Sequence, residues 1–194
     1  MNRIFFNKNV LIALVIAMAC CYVAAAAFYI SASTGALGGV IDEQFMATLA
    51  QQGFSNAVGK VFLILAFFLT LANGLFALGF RLKKRRDKEA KSCAWGVLFF
   101  VVVGLSFSLY NTTDFGTRMN EKPFVQTEML SHKDMIRGGK SGNRYYLYFS
   151  SGSKQTVSWD VYEGAHTRTL YHVVYQGNLV IGSFSAKDYS LAVK

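Results

Sequence analysis

Two kinds of hydrophobic pattern divide this chain near residue 112. Before that point the apolar residues come in long unbroken runs; after it they alternate with polar ones. The first run, 10–30, reads VLIALVIAMACCYVAAAAFYI and carries no charge. The second, 57–80, carries only Lys60, near its start. The third, 93–110, reads CAWGVLFFVVVGLSFSLY and is again uncharged. A hydrocarbon core about 30 Å thick takes about 20 helical residues to cross. Backbone groups facing lipid must be satisfied within their own segment, so each run is predicted to be a transmembrane helix.

From 113 to 194 the period falls to two. Segments 144–150 (RYYLYFS), 156–162 (TVSWDVY), 169–175 (TLYHVVY) and 178–184 (NLVIGSF) are rich in β-branched and aromatic residues and are predicted strands. Segments 122–130 and 189–193 are candidates for an earlier and a last strand. Gln176-Gly177-Asn178 and Ser151-Gly152-Ser153-Lys154 are hairpin signals. The expected result is a small, mainly antiparallel sheet of four to six strands, curled or half closed. Segment 132–143, rich in Gly and Lys, is expected to be a loop.

Charge then orients the spans. Arg3 and Lys8 precede the first. Loop 81–91 between the second and third holds Arg81, Lys83, Lys84, Arg85, Arg86, Lys88 and Lys91 against Asp87 and Glu89. Lys and Arg concentrate in cytoplasmic loops, so the N-terminus and the basic loop are expected inside, and the C-terminal β domain outside. The net charge of +9 and pI near 9.5 therefore reflect topology in large part, and no nucleic-acid partner is expected. The basic loop is read as an orientation signal before it is read as a site for anionic lipid. The first run is longer than the usual apolar stretch of about 7–15 residues in a signal peptide, which favours a retained span.

The domains expected are thus 1–112, a three-helix membrane region, and 113–194, an extracytoplasmic β domain. In the first outer loop, 31–56, the residues Val40, Ile41, Phe45, Leu49 and Phe54 fall at near-helical spacing among Asp42, Glu43, Gln44, Gln51 and Gln52. They predict a short amphipathic helix that leads into the second span and could cover the β domain.

Small residues mark candidate helix-packing positions: Ala13, Ala17, Cys21 and Ala25 in the first span, Gly96 and Gly104 in the third. Asn73, one turn after Thr70, is the most polar residue deep in a span and is expected to bond to a neighbouring helix. No Asp, Glu, His or Arg stands at mid-depth, which argues against an ion relay in a single copy.

Chemistry is sparse in the outer domain. His132, His166 and His172 lack zinc-motif spacing. Asp160 and Glu163 sit too close in sequence to specify an acid–base pair. No nucleophile elbow, metalloprotease helix motif or phosphate-binding glycine loop occurs, so no enzyme, cofactor or metal is expected. The three cysteines, Cys20, Cys21 and Cys93, all precede the β domain, which therefore cannot be stapled by its own disulfide. A cysteine-free outer domain suits a bacterial inner membrane and its periplasm. Aromatic residues crowd the strands, and Tyr145, Tyr146, Tyr148 and Trp159 with Arg144 and Arg168 have the composition of a protein-binding surface. The expected function is non-enzymatic binding of a protein partner, as an accessory subunit of an envelope complex or as an immunity or exclusion protein. The alternative is an oligomeric transport or channel component.

Overall fold

The computed structural model describes residues 6–33, 38–82, 87–119, 121–138 and 142–192. The centre of the basic loop, 83–86, lies outside them. The chain divides into two units, one formed by 1–34 with 54–117 and the other by 35–53 with 118–194. The amphipathic segment of the first loop thus belongs with the β strands.

The helical unit is built from α1 (Lys8–Ser33), the later part of α2 (Glu43–Leu82) and α3 (Asp87–Met119). All three helices are long and apolar enough to cross a membrane. The amphipathic segment and the second span are one uninterrupted helix, α2.

The buried and half-buried positions of α1 run through Leu11, Leu14, Met18, Cys21, Ala25, Phe28 and Ala32, alternately three and four apart. That alternation follows one seam along a helix. The every-fourth-residue stripe read from the sequence drifts off the seam, because four residues turn a helix by about 400°. Cys21 and Ala25 lie on the seam, whereas Ala13 and Ala17 are exposed, a correction to their assignment as packing positions. Against α2 the seam is partly polar. Asn73 donates from Nδ2 to the Leu14 carbonyl at 3.3 Å, and the Tyr22 hydroxyl lies 3.1 Å from Thr70 Oγ1.

On α3 the two glycines sit where α2 side chains press in. A Cβ at Gly96 would stand 2.7 Å from Leu75, and one at Gly104 2.8 Å from Phe68. At the other end of α2, Gly79 accommodates Phe6, which is fully buried beside Phe76 and Cys93. A Cβ at Gly79 would collide with the Phe6 ring and lie 2.9 Å from Cys93 Cβ. Gly79→Leu should therefore expel Phe6 at a cost of about 1–3 kcal/mol. The check is maleimide labelling in a background lacking Cys20 and Cys21: Cys93, now buried, should react several-fold faster in the variant.

The β unit holds a five-stranded antiparallel sheet in the order β4-β3-β2-β5-β6. Its strands are β2 (Phe124–Ile136), β3 (Arg144–Phe149), β4 (Lys154–Val157), β5 (Leu170–Gln176) and β6 (Leu179–Ser185). Two short strands, β1 (Val40–Ile41) and β7 (Ser190–Leu191), pair parallel as a separate ribbon. Edge strands β4 and β6 come within 8 Å of each other, Cα to Cα, so the sheet is curled. The expected hairpins are present, and Gly177 takes the positive φ of 59° that the β5–β6 turn demands.

The concave face carries the main core, with Leu130, Leu147, Phe149, Tyr171, Val173, Tyr175 and Val180 buried together. The convex face is covered over β5 and β6 by the start of α2. Phe45, Met46 and Leu49, with Ile41, pack on Val125, Val174, Ile181 and Phe184. Asp42 starts this helix by accepting from the Phe45 backbone N–H at 2.7 Å, an N-cap bond that ties its carboxylate to the backbone.

Two strand expectations need correction. The second half of TVSWDVY is a helical turn, α4 (Trp159–Gly164), not a strand. Ser158 at its N-cap, Asp160 in its first turn and Gly164 at its end are helix boundary signals that outweigh a brief alternation. Segment 132–143 is not all loop either, since β2 continues to Ile136 and pairs with β3 as far as Ile136↔Arg144.

A register shift between Leu130 and His132 explains that second error. Leu130 lies opposite Phe149 on the concave side, and His132 lies opposite Tyr148 on the convex side. Residues two apart normally share a face. The bulge at Ser131 breaks that rule and exchanges the faces of everything beyond it.

Candidate functional site

Beyond the bulge, strands β2, β3 and β4 form a ribbon with two distinct faces. Pairing places His132 opposite Tyr148, Asp134 opposite Tyr146, and Tyr148 opposite Lys154. These residues share the convex face with Arg144. The His132 and Tyr148 rings stack at 4.3 Å between centroids with planes 7° apart. Tyr146 and Tyr148 lie 6.4 Å apart, and Lys154 Nζ stands 5.7 Å from the centre of the Tyr146 ring. The tyrosines are half buried, while His132, Asp134, Arg144 and Lys154 are exposed.

The concave side of the same ribbon is occupied. Tyr145, Trp159 and Tyr162 form a ring cluster with centroids 5.1–6.0 Å apart. Lys133 donates to the Tyr162 and Ala165 carbonyls at 2.8 and 2.9 Å and so caps the end of α4. Its ammonium also lies 4.7 Å from the Tyr162 ring centre.

The residues singled out from sequence therefore separate. Arg144, Tyr146 and Tyr148 share one surface. Tyr145 and Trp159 belong to the α4 cluster, although Trp159 keeps 48% of its surface exposed. Arg168 lies in the turn before β5 with φ 61°, where its backbone N–H donates to the Leu130 carbonyl at 2.8 Å. His132 and Lys154 complete the convex surface. The sequence pattern held Lys154 in phase with Tyr146 and Tyr148, but the bulge concealed His132.

Of the other titratable groups, His172 is buried, with Nδ1 2.9 Å from Thr127 Oγ1, and His166, Asp160 and Glu163 are exposed. Among the described residues no group of three or more His, Cys, Asp or Glu could hold a metal ion. A buried polar network joins Glu128 to the β3–β4 turn. Tyr175 donates its hydroxyl to Glu128 Oε1, the Ser151 N–H donates to Glu128 Oε2 at 3.2 Å, and Ser153 Oγ lies 2.7 Å from the Tyr175 oxygen. It fastens a hairpin to the sheet and offers no nucleophile–base pair.

Burial, and then the bond to Glu128, pushes the Tyr175 phenol above its ordinary value. The folded state thus holds this proton more tightly than the unfolded chain does. The resulting stability is complete below about pH 10, the ordinary tyrosine value, and is lost as the pH rises through the raised one. Unfolding followed across alkaline pH should show a falling limb in the native protein that Tyr175→Phe diminishes.

Comparison with known protein families, with curated proteins and with solved structures finds no match to this chain.

Proposed function

We propose that the chain is a multi-pass protein of the bacterial inner membrane, with its N-terminus cytoplasmic and its β unit periplasmic, that acts without catalysis by binding a protein partner. The three long apolar helices support membrane residence. The Lys and Arg bias of the N-terminus and loop 81–91 supports the orientation.

The observation that carries the binding role is the convex face of the β2–β3–β4 ribbon. Its rings are held in place by one another, so little side-chain freedom is lost when a partner arrives. Tyrosine and arginine at an otherwise polar surface are the usual anchors of protein interfaces. The role is that of an accessory subunit in an envelope complex or of an immunity or exclusion protein.

The test is a photo-crosslinking residue placed at Tyr148 in cells, with and without challenge by incoming toxin, phage or plasmid machinery. A discrete adduct in resting cells identifies an accessory subunit, and an adduct only under challenge identifies an immunity or exclusion role. No adduct at Tyr148 beyond that at Lys187, an exposed control site, rejects the binding role. Protease added to spheroplasts should reach the β unit, and protection there reverses the orientation.

One observation favours the alternative of an oligomeric transport component. The buried Oδ1 of Asn73 has no hydrogen-bond partner among the described residues, which leaves an unsatisfied acceptor inside the helical unit for a small solute. Flux through liposomes that exceeds empty controls and falls in Asn73→Leu would support it.

A further inference from the structure

The convex ribbon face is rich in donors and poor in free acceptors. Among the described residues Lys154 and Arg144 pair with no carboxylate, and the Tyr146 and Tyr148 hydroxyls have no hydrogen-bond partner. The imidazole of His132 lies flat on Tyr148 and adds a further polar edge. The single carboxylate on this surface, Asp134, is engaged by its own strand, since Oδ1 accepts from the Met135 N–H at 2.8 Å. A surface of this kind is complementary to an anionic, acceptor-rich ligand.

Its shape narrows the class. The polar groups are spread over three strands, His132 on β2, Tyr146 and Tyr148 on β3, and Lys154 on β4, around rings that supply apolar contact between them. An extended acidic segment meets such a surface with carboxylates on the cations and carbon stems on the rings. A lipid surface would instead call for large apolar side chains projecting from the patch, and Ile136, at its margin, is the one exposed aliphatic residue of β2 beyond the bulge.

We infer that the convex face of the β2–β3–β4 ribbon receives an acidic protein segment, held by Lys154 and Arg144 and packed on Tyr146 and Tyr148. This rests on the protein-binding reading above and specifies the partner's chemistry. The bulge at Ser131 serves that face, because it delivers His132 to the Tyr148 ring while sending Lys133 to the opposite side to hold α4.

The experiment uses the full chain in nanodiscs of neutral lipid. The probes are a short fluorescent peptide alternating Glu with Leu, its Lys counterpart, and vesicles containing phosphatidylglycerol. The Glu peptide should bind saturably and the Lys peptide should not. Lys154→Glu and the double variant Tyr146→Ala/Tyr148→Ala should each weaken binding about tenfold, or about 1.4 kcal/mol. Arg168→Glu, outside the face, should leave it unchanged. Resistance to protease establishes that each variant is folded, and Arg144→Glu gives a second charge reversal if one is not.

Equal binding of both peptides, or no loss in Lys154→Glu and Arg144→Glu, overturns the inference. So does a preference for the anionic vesicles over the Glu peptide, which would assign the face to lipid. A crosslinked protein at Tyr148 without any preference for acid leaves the binding role standing and removes only the acidic partner. The absence of any adduct removes both.

Discussion

Phe45→Ala should destabilise the β unit by about 3–5 kcal/mol, the cost of removing a buried aromatic ring and leaving its cavity. Phe45 lies in the first turn of α2 and is 5% exposed. Its ring meets Phe184 edge-on at 5.0 Å and Tyr189 at 6.0 Å, and it packs with Ile41 and Val174. No other described segment with that much apolar surface covers β5 and β6 on the convex side. A domain's whole stability is about 5–15 kcal/mol, so one ring here represents a large share of it. Limited proteolysis of the full chain in detergent should show much faster cleavage between 121 and 192, and Phe45→Leu should show only a small part of the effect. Unchanged protection in Phe45→Ala would mean that the start of α2 is not part of this core.

The second large effect is expected at Glu128. Glu128 is 6% exposed, and its carboxylate accepts from both Tyr175 and the Ser151 backbone. Glu128→Ala removes the acceptor and strands both donors in a buried site, which costs about 1–3 kcal/mol for unsatisfied polar groups, with the lost packing in addition. Glu128→Gln retains an oxygen of the same reach and should lose less. Tyr175→Phe in the Glu128→Ala background should cost less than it does alone, because its donor has then already lost its partner. Chemical denaturation of the four proteins gives the coupling directly. Additive costs would show that the Glu128–Tyr175 bond contributes nothing to the fold.

The membrane part of this fold is legible in the sequence because lipid imposes a coarse rule. A run such as 93–110 has to be helical, and the structure shows long apolar helices at all three runs. Strands β3, β5 and β6 were equally readable from period-two patterns bounded by turn residues. What failed did so where two signals competed. At Ser158-Trp159-Asp160 an N-cap position and an acidic first turn mark a helix start within a brief alternation, although the Ser158 side chain makes no capping bond. At Ser131 an inserted residue broke the phase, so His132–Ile136 read as loop while pairing as strand. The candidate surface shows the same division. Tyr145 and Tyr146 are neighbours in sequence and therefore face opposite ways, which strand periodicity alone could have separated. That His132 joins Tyr148 depends on the bulge, and no pattern of residue types announces it. The start of α2 was readable as an amphipathic helix able to cover the β domain, but that Phe45 would pack over β5 and β6 was not.

The bulge also makes this ribbon sensitive to chain length in a way that residue identity does not reveal. Deleting Ser131 would place His132 directly after Leu130, and simple alternation would then keep His132 opposite Tyr148 on the convex side and Lys133 on the concave side. Deleting Lys133 instead would remove the donor from the Tyr162 and Ala165 carbonyls and turn Asp134 toward the aromatic cluster beneath α4. Drift by point substitution across His132, Asp134 and Lys154 can thus retune the exposed surface one contact at a time. A single-codon deletion beyond the bulge is a parity error, whereas one at Ser131 itself is not, and in-frame indels at His132–Ile136 should be purged far more stringently than missense changes on the convex face.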